Sequence, residues 1–235
     1  LEFNHGGFIR GTIAKHKDVK AQSHTNAHKI TREVFSVQGG LKNLTEALTN
    51  EIGYDRILLG CTETKITPVS QGFSITYTDP SGVKKELLSH KVVTTIGGYA
   101  LSELLPFAES HFIENISNTT YAPVIQVAAG YNKWTGIKLD AFGGLISSKD
   151  KRRILGVLFP SAIFAGRAPQ GGAMLSVFMG GMKNKEMLQL SDSEIEAIVK
   201  QELRLTMKTT NDPDLLRIHR YQHAIAQYDI KSQKR

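Results

Sequence analysis

The sequence predicts an α+β fold: a mixed, largely antiparallel sheet flanked by helices, with a β-meander and an α/β portion beside it. Strand-sized apolar runs recur between residues 124 and 180 with no helical pattern among them, as an antiparallel sheet requires. Ser191-Asp192-Ser193-Glu194 is a capping box, and Ile195, Ile198, Val199, Leu203 and Met207 after it form one helical apolar face that can lie on that sheet. Residues 56–82 hold short strand-like segments divided by turn residues, the pattern of a meander.

The chain has 235 residues, 40% hydrophobic and 22% charged, enough for a buried core and outside the disordered and low-complexity classes. Cys61 is the single cysteine, which excludes an internal disulfide and any paired-cysteine metal site and fits a reducing compartment. No apolar run approaches the ~20 residues of a membrane-spanning helix; residues 154–159 are strand-sized. A net charge of +7 favours anionic partners, and on charge alone nucleic acid, anionic lipid and carboxylate ligands all stay open. The opening Leu1-Glu2-Phe3 carries neither Met nor a signal-peptide pattern and is read as the start of a piece of something longer.

In chain order, residues 5–35 are polar and basic and read as a loop-rich entry segment. His24 and His28 stand four apart, yet no nearby carboxylate or third ligand supports a metal, and two solvated histidines is the reading. Gly39-Gly40 opens an amphipathic helix with Leu41, Leu44, Leu48 and Ile52 on one face, closed by Gly53. Strands are expected at 56–61, 63–69 and 73–78, with turns at 70–72 and at Asp79-Pro80-Ser81-Gly82. Residues 90–96 read as a buried strand that runs through Gly97-Gly98 into a helix over 99–105, stopped by Pro106, the pattern of a parallel α/β edge unit. Further strands are expected at 124–131, 141–147, 153–160 and 174–180, then the capped helix, then an aromatic and basic strand over 217–228.

Catalytic signatures are mostly lacking. No two of the 21 glycines are separated by a single residue, so neither a Gly-x-Gly-x-x-Gly fingerprint nor a P-loop exists in these residues. There is no Gly-x-Ser-x-Gly elbow and no His-Glu-x-x-His, and Cys61 in an apolar run reads as a small core residue.

One stretch is distinctive: Leu155-Gly156-Val157-Leu158-Phe159-Pro160, Phe164-Ala165-Gly166-Arg167-Ala168-Pro169, and Ser176-Val177-Phe178-Met179-Gly180-Gly181. Together with Phe8-Ile9-Arg10-Gly11, Gly39-Gly40-Leu41-Lys42-Asn43-Leu44 and Ala226-Gln227-Tyr228, it resembles the oxygen-dependent protoporphyrinogen oxidases of the FAD-dependent amine-oxidase superfamily. The resemblance covers nearly the whole chain. It implies FAD as cofactor in the full-length protein, held by an N-terminal and a C-terminal Gly-rich segment that both lie outside these residues, so that this piece is expected to lack the flavin and to be inactive alone. It implies a basic entry segment over 1–35 at the end of a membrane-associating region, a middle portion of the FAD-binding domain over 36–105, a substrate-binding domain over 106–228 and a basic tail over 229–235.

The implied reaction, in haem biosynthesis, oxidises protoporphyrinogen IX to protoporphyrin IX with O2 and releases H2O2, the flavin carrying the redox chemistry. Coproporphyrinogen III oxidation and a non-catalytic porphyrin-binding module stay open beside it. The implied partner is a porphyrinogen and no nucleic acid, in a cytoplasmic setting that leaves peripheral membrane association and a homodimer open. Position by position, Phe142, Gly143 and Leu145 match the family's Gly-Phe-Gly-x-Leu stretch lining the macrocycle pocket, and Phe164 and Phe178 match further pocket positions. Glu63 falls where relatives place a small apolar residue whose backbone meets the FAD adenine. Arg167, which could pair with a propionate, matches an arginine that ties the strand connection together in relatives. Phe142, Leu145 and Phe164 are expected around one shared hollow, because a flat apolar ring is best held by apolar and aromatic side chains.

Overall fold

The computed structural model describes residues 34–229. The basic entry segment with Arg10, His24 and His28, and the tail over 231–235, lie outside the described residues. The chain forms two compact units, Leu1–Thr45 and Glu46–Arg235, and helix α1, Leu41–Ile52, runs across their junction. Its entry is the expected glycine turn: the Gly40 amide donates to the Val37 carbonyl at 2.9 Å, and Asn43 Nδ2 donates to the Gln38 carbonyl at 2.9 Å. Leu41, Leu44, Leu48 and Ile52 form the expected stripe, and all four are exposed.

In the second unit a meander is built from β1 (Thr62–Val69), β2 (Gly72–Thr78) and β3 (Lys84–Ser89), paired antiparallel in that order. Its membership differs from the expectation. Residues 56–61 are not a strand: a 3-10 turn at Tyr54–Arg56 leads into irregular chain, with Cys61 half-buried just before β1. The third strand instead follows the Asp79 turn. The Asp79 carboxylate accepts from the Ser81 and Val83 amides at 2.9 and 3.0 Å and from the Ser81 hydroxyl, reversing the chain onto β2. Those bonds, the Ser81 hydroxyl first, hold the Asp79 carboxyl below its ordinary range.

Residues 90–96 are likewise not a strand, and Val93 is 88% exposed. A parallel strand is made by the ladder it joins, and none of the described strands runs beside this segment. The helix expected after it shrinks to a 3-10 turn, Gly98–Ala100, and the short α2, Leu101–Leu104, followed by α3, Ser110–Ser117.

The main sheet has five strands: β4 (Tyr121–Tyr131), β5 (Gly143–Leu145), β6 (Gly156–Leu158), β7 (Ala173–Gly180) and β8 (Leu215–Ala226). Their order is β5-β6-β7-β4-β8, and every pairing is antiparallel. Short helix α4, Pro160–Ile163, separates β6 from β7, ending the strand expected over 153–160 at Leu158. Side chains alternate across the sheet. Ile125, Val127 and Ala129 of β4 and Leu175, Val177 and Met179 of β7 are fully buried on one face. That face is covered by α5, Asp192–Met207, whose Ile195, Ile198, Val199, Leu203 and Met207 join the same core.

The capping box forms as the sequence predicts, with the Glu194 amide donating to Ser191 Oγ and the Ser191 amide to Glu194 Oε2. The Ser191 hydroxyl, its largest partner, holds the Glu194 carboxyl below its ordinary range. Glu202 of α5, 5% exposed, accepts from Arg152 Nε at 2.9 Å and from the Arg153 amide at 3.3 Å, tying the β5–β6 connection to the helix.

Candidate functional site

With α5 on one face, the other face of the sheet is free to bind. Register places Leu145 opposite Gly156, Gly156 opposite Phe178, Phe178 opposite Gln126, and Gln126 opposite His219, one row across all five strands. Directly paired residues project to the same side, and this side is away from the core residues Val157, Val177 and Val127, which form the neighbouring row. Above the row lies a cavity of about 530 Å³, a volume within the ordinary range for small-molecule sites. Leu145, Leu155 and Phe178 form one wall; Val124, Tyr221 and Ile225 belong to the other. Gln126 and His223 are also in the lining, and no Asp, Glu, Lys or Arg is among the described lining residues.

Of the pocket residues that the resemblance implies, Leu145 and Phe178 meet at this cavity. Phe142, Gly143 and Phe164 are not among its described lining residues, so of the three residues expected around one hollow only Leu145 lines this cavity. Phe142 lies in the bend just before β5 and is 52% exposed. Its carbonyl accepts from the Phe159 amide at 2.9 Å, continuing the hairpin pairing. Gly143 has a backbone reason to be glycine. Its φ is 151°, and a Cβ there would stand 2.4 Å from the Val157 carbonyl oxygen of β6. Phe164 follows α4, half-buried, with the Arg167 guanidinium 5.7 Å from its ring centroid. That contact agrees with a tying role for Arg167.

Residues with no sequence signal complete the lining. Gln126 Nε2 donates to Ser176 Oγ at 2.8 Å across β4 and β7. Leu155, just before β6, stands beside the Leu145–Gly156 pair, and its carbonyl accepts from the Ile146 amide at 2.9 Å. Tyr221 and His223 come from β8, where pairing with β4 is irregular. Strand alternation could have found Gln126; nothing local marks the irregularity in β8.

Glu63 lies at a second place in the fold. A polar trough of about 1060 Å³ runs between the meander and residues 96–106, with Cys61, Glu63, Lys65, Tyr77 and Ser102 in its lining. Glu63 has φ 51°, and the register breaks between Thr62 and Lys65, so Glu63 and Thr64 together oppose Tyr77 as a β-bulge. Its carboxylate accepts from the Thr78 hydroxyl at 2.9 Å. The bulge takes main-chain groups at Glu63, whose backbone the resemblance assigns to the flavin adenine, out of the ladder beside this trough. No group of three or more His, Cys, Asp and Glu that could hold a metal occurs among the described residues. No described helix is long and apolar enough to cross a membrane.

The family model described as flavin containing amine oxidoreductase matches residues 1–231. The chain is 29% identical over 248 residues to the chloroplastic protoporphyrinogen oxidase of Nicotiana tabacum, covering 97% of this chain and 44% of that protein. It is 30% identical over 249 residues to the chloroplastic protoporphyrinogen oxidase 1 of Arabidopsis thaliana, covering 97% and 45%. The chain thus spans less than half the length of these curated relatives. Among solved structures, a protein of Exiguobacterium sp. 255-15 provisionally named a protoporphyrinogen oxidase superposes with TM-score 0.71 at 18% identity, over 97% of this chain and 46% of that one, a likeness of fold. An antiparallel sheet capped on one face and open at an apolar cavity on the other, with a family match over nearly every residue, places this chain in the flavin containing amine oxidoreductase family.

Proposed function

We propose that this chain supplies the ring-binding wall of a porphyrinogen oxidase, with protoporphyrinogen as the substrate. The observation that carries the reading is the composition of the cavity on the open sheet face: apolar and aromatic side chains, a few neutral polar groups, and no carboxylate, ammonium or guanidinium among the described lining residues. A polyamine substrate would need acidic partners for its charges, and coproporphyrinogen, which carries more carboxylates than protoporphyrinogen, would need basic ones. A largely apolar, flat macrocycle needs neither at its ring. Leu145, Leu155 and Phe178 would contact the ring and exclude water, and Gln126 offers its amide at the edge of the same surface. The flavin, when bound, supplies the hydride acceptor and passes the electrons to O2. Backbone at the Glu63 bulge would hold its adenine end.

The test is a fluorescence titration of the chain with protoporphyrin IX, the stable product, beside coproporphyrin III and putrescine. Protoporphyrin is expected to bind most tightly. Leu145→Asp, at a position 91% exposed and so harmless to folding, should weaken it at least about tenfold, the loss expected for one large apolar contact. Binding indifferent to Leu145→Asp, or tighter for coproporphyrin or putrescine, would refute the reading.

A further inference from the structure

His223 stands where β8 departs from regular pairing. Val124 pairs with Tyr221 and Ala122 with Ile225, so β4 advances from 122 to 124 while β8 advances from 221 to 225. The surplus residues form a bulge, the device by which a strand re-aims a side chain beside a binding site. The His223 ring lies flat on Tyr99, centroids 3.9 Å apart at 19°, and edge-on to Tyr121 at 5.7 Å and 89°. Tyr99 and Tyr121 are themselves edge-on at 5.5 Å. Tyr99 reaches this position because Gly97 has no side chain: a Cβ there would stand 2.3 Å from the Tyr99 ring. Three elements thus hold one imidazole against the apolar cavity.

Stacking uses the faces of the ring and leaves its nitrogen edge available. Among the described residues neither ring nitrogen of His223 is hydrogen-bonded, and the lining offers no acidic group to occupy it. Gln126 gives one of its two Nε2 protons to Ser176 Oγ and keeps the other for the same surface. Resting on the reading that a protoporphyrinogen-type ring occupies this cavity, we propose that His223 orients the ring by donating a ring N–H to a propionate carboxylate. The propionate edge then faces β8, and the apolar part of the ring that bears the vinyl groups faces Leu145, Leu155 and Phe178. Among the described lining residues no Lys or Arg does the same, and His223 sets the specificity for the acidic edge of the ligand.

The test compares protoporphyrin IX with its dimethyl ester, which keeps the ring and removes the charge. The intact chain is expected to prefer the free acid by about tenfold, the gain from one hydrogen bond to a charged group. His223→Phe keeps a flat ring against Tyr99 and removes the N–H; it should bring the acid-to-ester ratio to about one and leave ester affinity in place. His223→Gln, which keeps an N–H donor, should retain most of the preference. The proposal is overturned if His223→Phe keeps the ratio of the intact chain, if His223→Gln loses it as fully as His223→Phe, or if Tyr221→Phe abolishes it instead. Failure of the intact chain to bind either compound would remove the underlying reading, and this inference with it.

Discussion

Removing the carboxylate of Glu202 tests how the cavity wall is held. Its side chain is 7% exposed and that of Arg152 is 27%, with Arg152 Nη2 2.8 Å and Nε 2.9 Å from Oε2. The partners lie on α5 and on the connection between β5 and β6, the hairpin that brings Leu145 and Leu155 to the cavity. Breaking a buried ion pair from one side costs about 3–5 kcal/mol because the other charge is left uncompensated. Arg152 keeps some solvent, so the low end applies, and Glu202→Ala should cost about 3 kcal/mol, roughly a hundredfold in the folding constant. In urea denaturation the midpoint should fall, and by calorimetry Tm should drop by about 6–12 °C, at 2–4 °C per kcal/mol for a unit of this size. Replacing both partners with apolar residues, Arg152→Met with Glu202→Met, should recover most of the loss, since no charge is then stranded. A double variant as unstable as Glu202→Ala, or a loss below about 0.5 kcal/mol for Glu202→Ala, would refute the view that this pair anchors the hairpin.

Other outcomes follow from single positions. Gly143→Ala should destabilise the chain by about 1–3 kcal/mol, because a Cβ would meet the β6 backbone and φ is unfavourable for any side chain; a melt like that of the unaltered chain would contradict the close approach. Ser191→Ala should cost about 1 kcal/mol by loss of the N-cap, measured by denaturant midpoint. Because Ser191 holds the Glu194 carboxyl below its ordinary range, its contribution is fully present above that range and fades as pH falls through the lower folded value, so the variant and the unaltered chain should converge in acid. Tyr131 is 2% exposed, and burial pushes its phenol pKa above 10.0. The folded state therefore keeps a proton that the unfolded state releases, so stability should decline as pH rises past about 10, and Tyr131→Phe should abolish that decline. Its buried hydroxyl faces the buried hydroxyl of Thr209, so Tyr131→Phe should cost at most about 1 kcal/mol at neutral pH by denaturant midpoint; a larger loss would show that the phenol is held by further partners.

Much of the fold is legible in the residues because it rests on local periodicity. Helix α1 with its glycine entry, the capping box and apolar face of α5, and the strands of the antiparallel sheet all follow from side-chain spacing and short-range hydrogen bonds. The two misread strands failed for one reason. Residues 56–61 and 90–96 have strand-like composition, but a strand exists only where another supplies its ladder, and composition names no partner.

The site divides along the same line. Apolar side chains at Leu145 and Phe178, and their kinship with a flavin family, can be read from the order of residues alone. Which of Phe142 and Leu145 reaches the cavity was decided by the fold: Leu145 sits in β5 on the row with Gly156, Phe178 and Gln126, whereas Phe142 sits in the bend before that strand. His223 reaches the lining only because β8 carries surplus residues against β4 and because Gly97 admits the ring of Tyr99. Spacing along the chain specifies which faces are apolar; register between strands distant in the chain specifies which of those faces meet around a ligand.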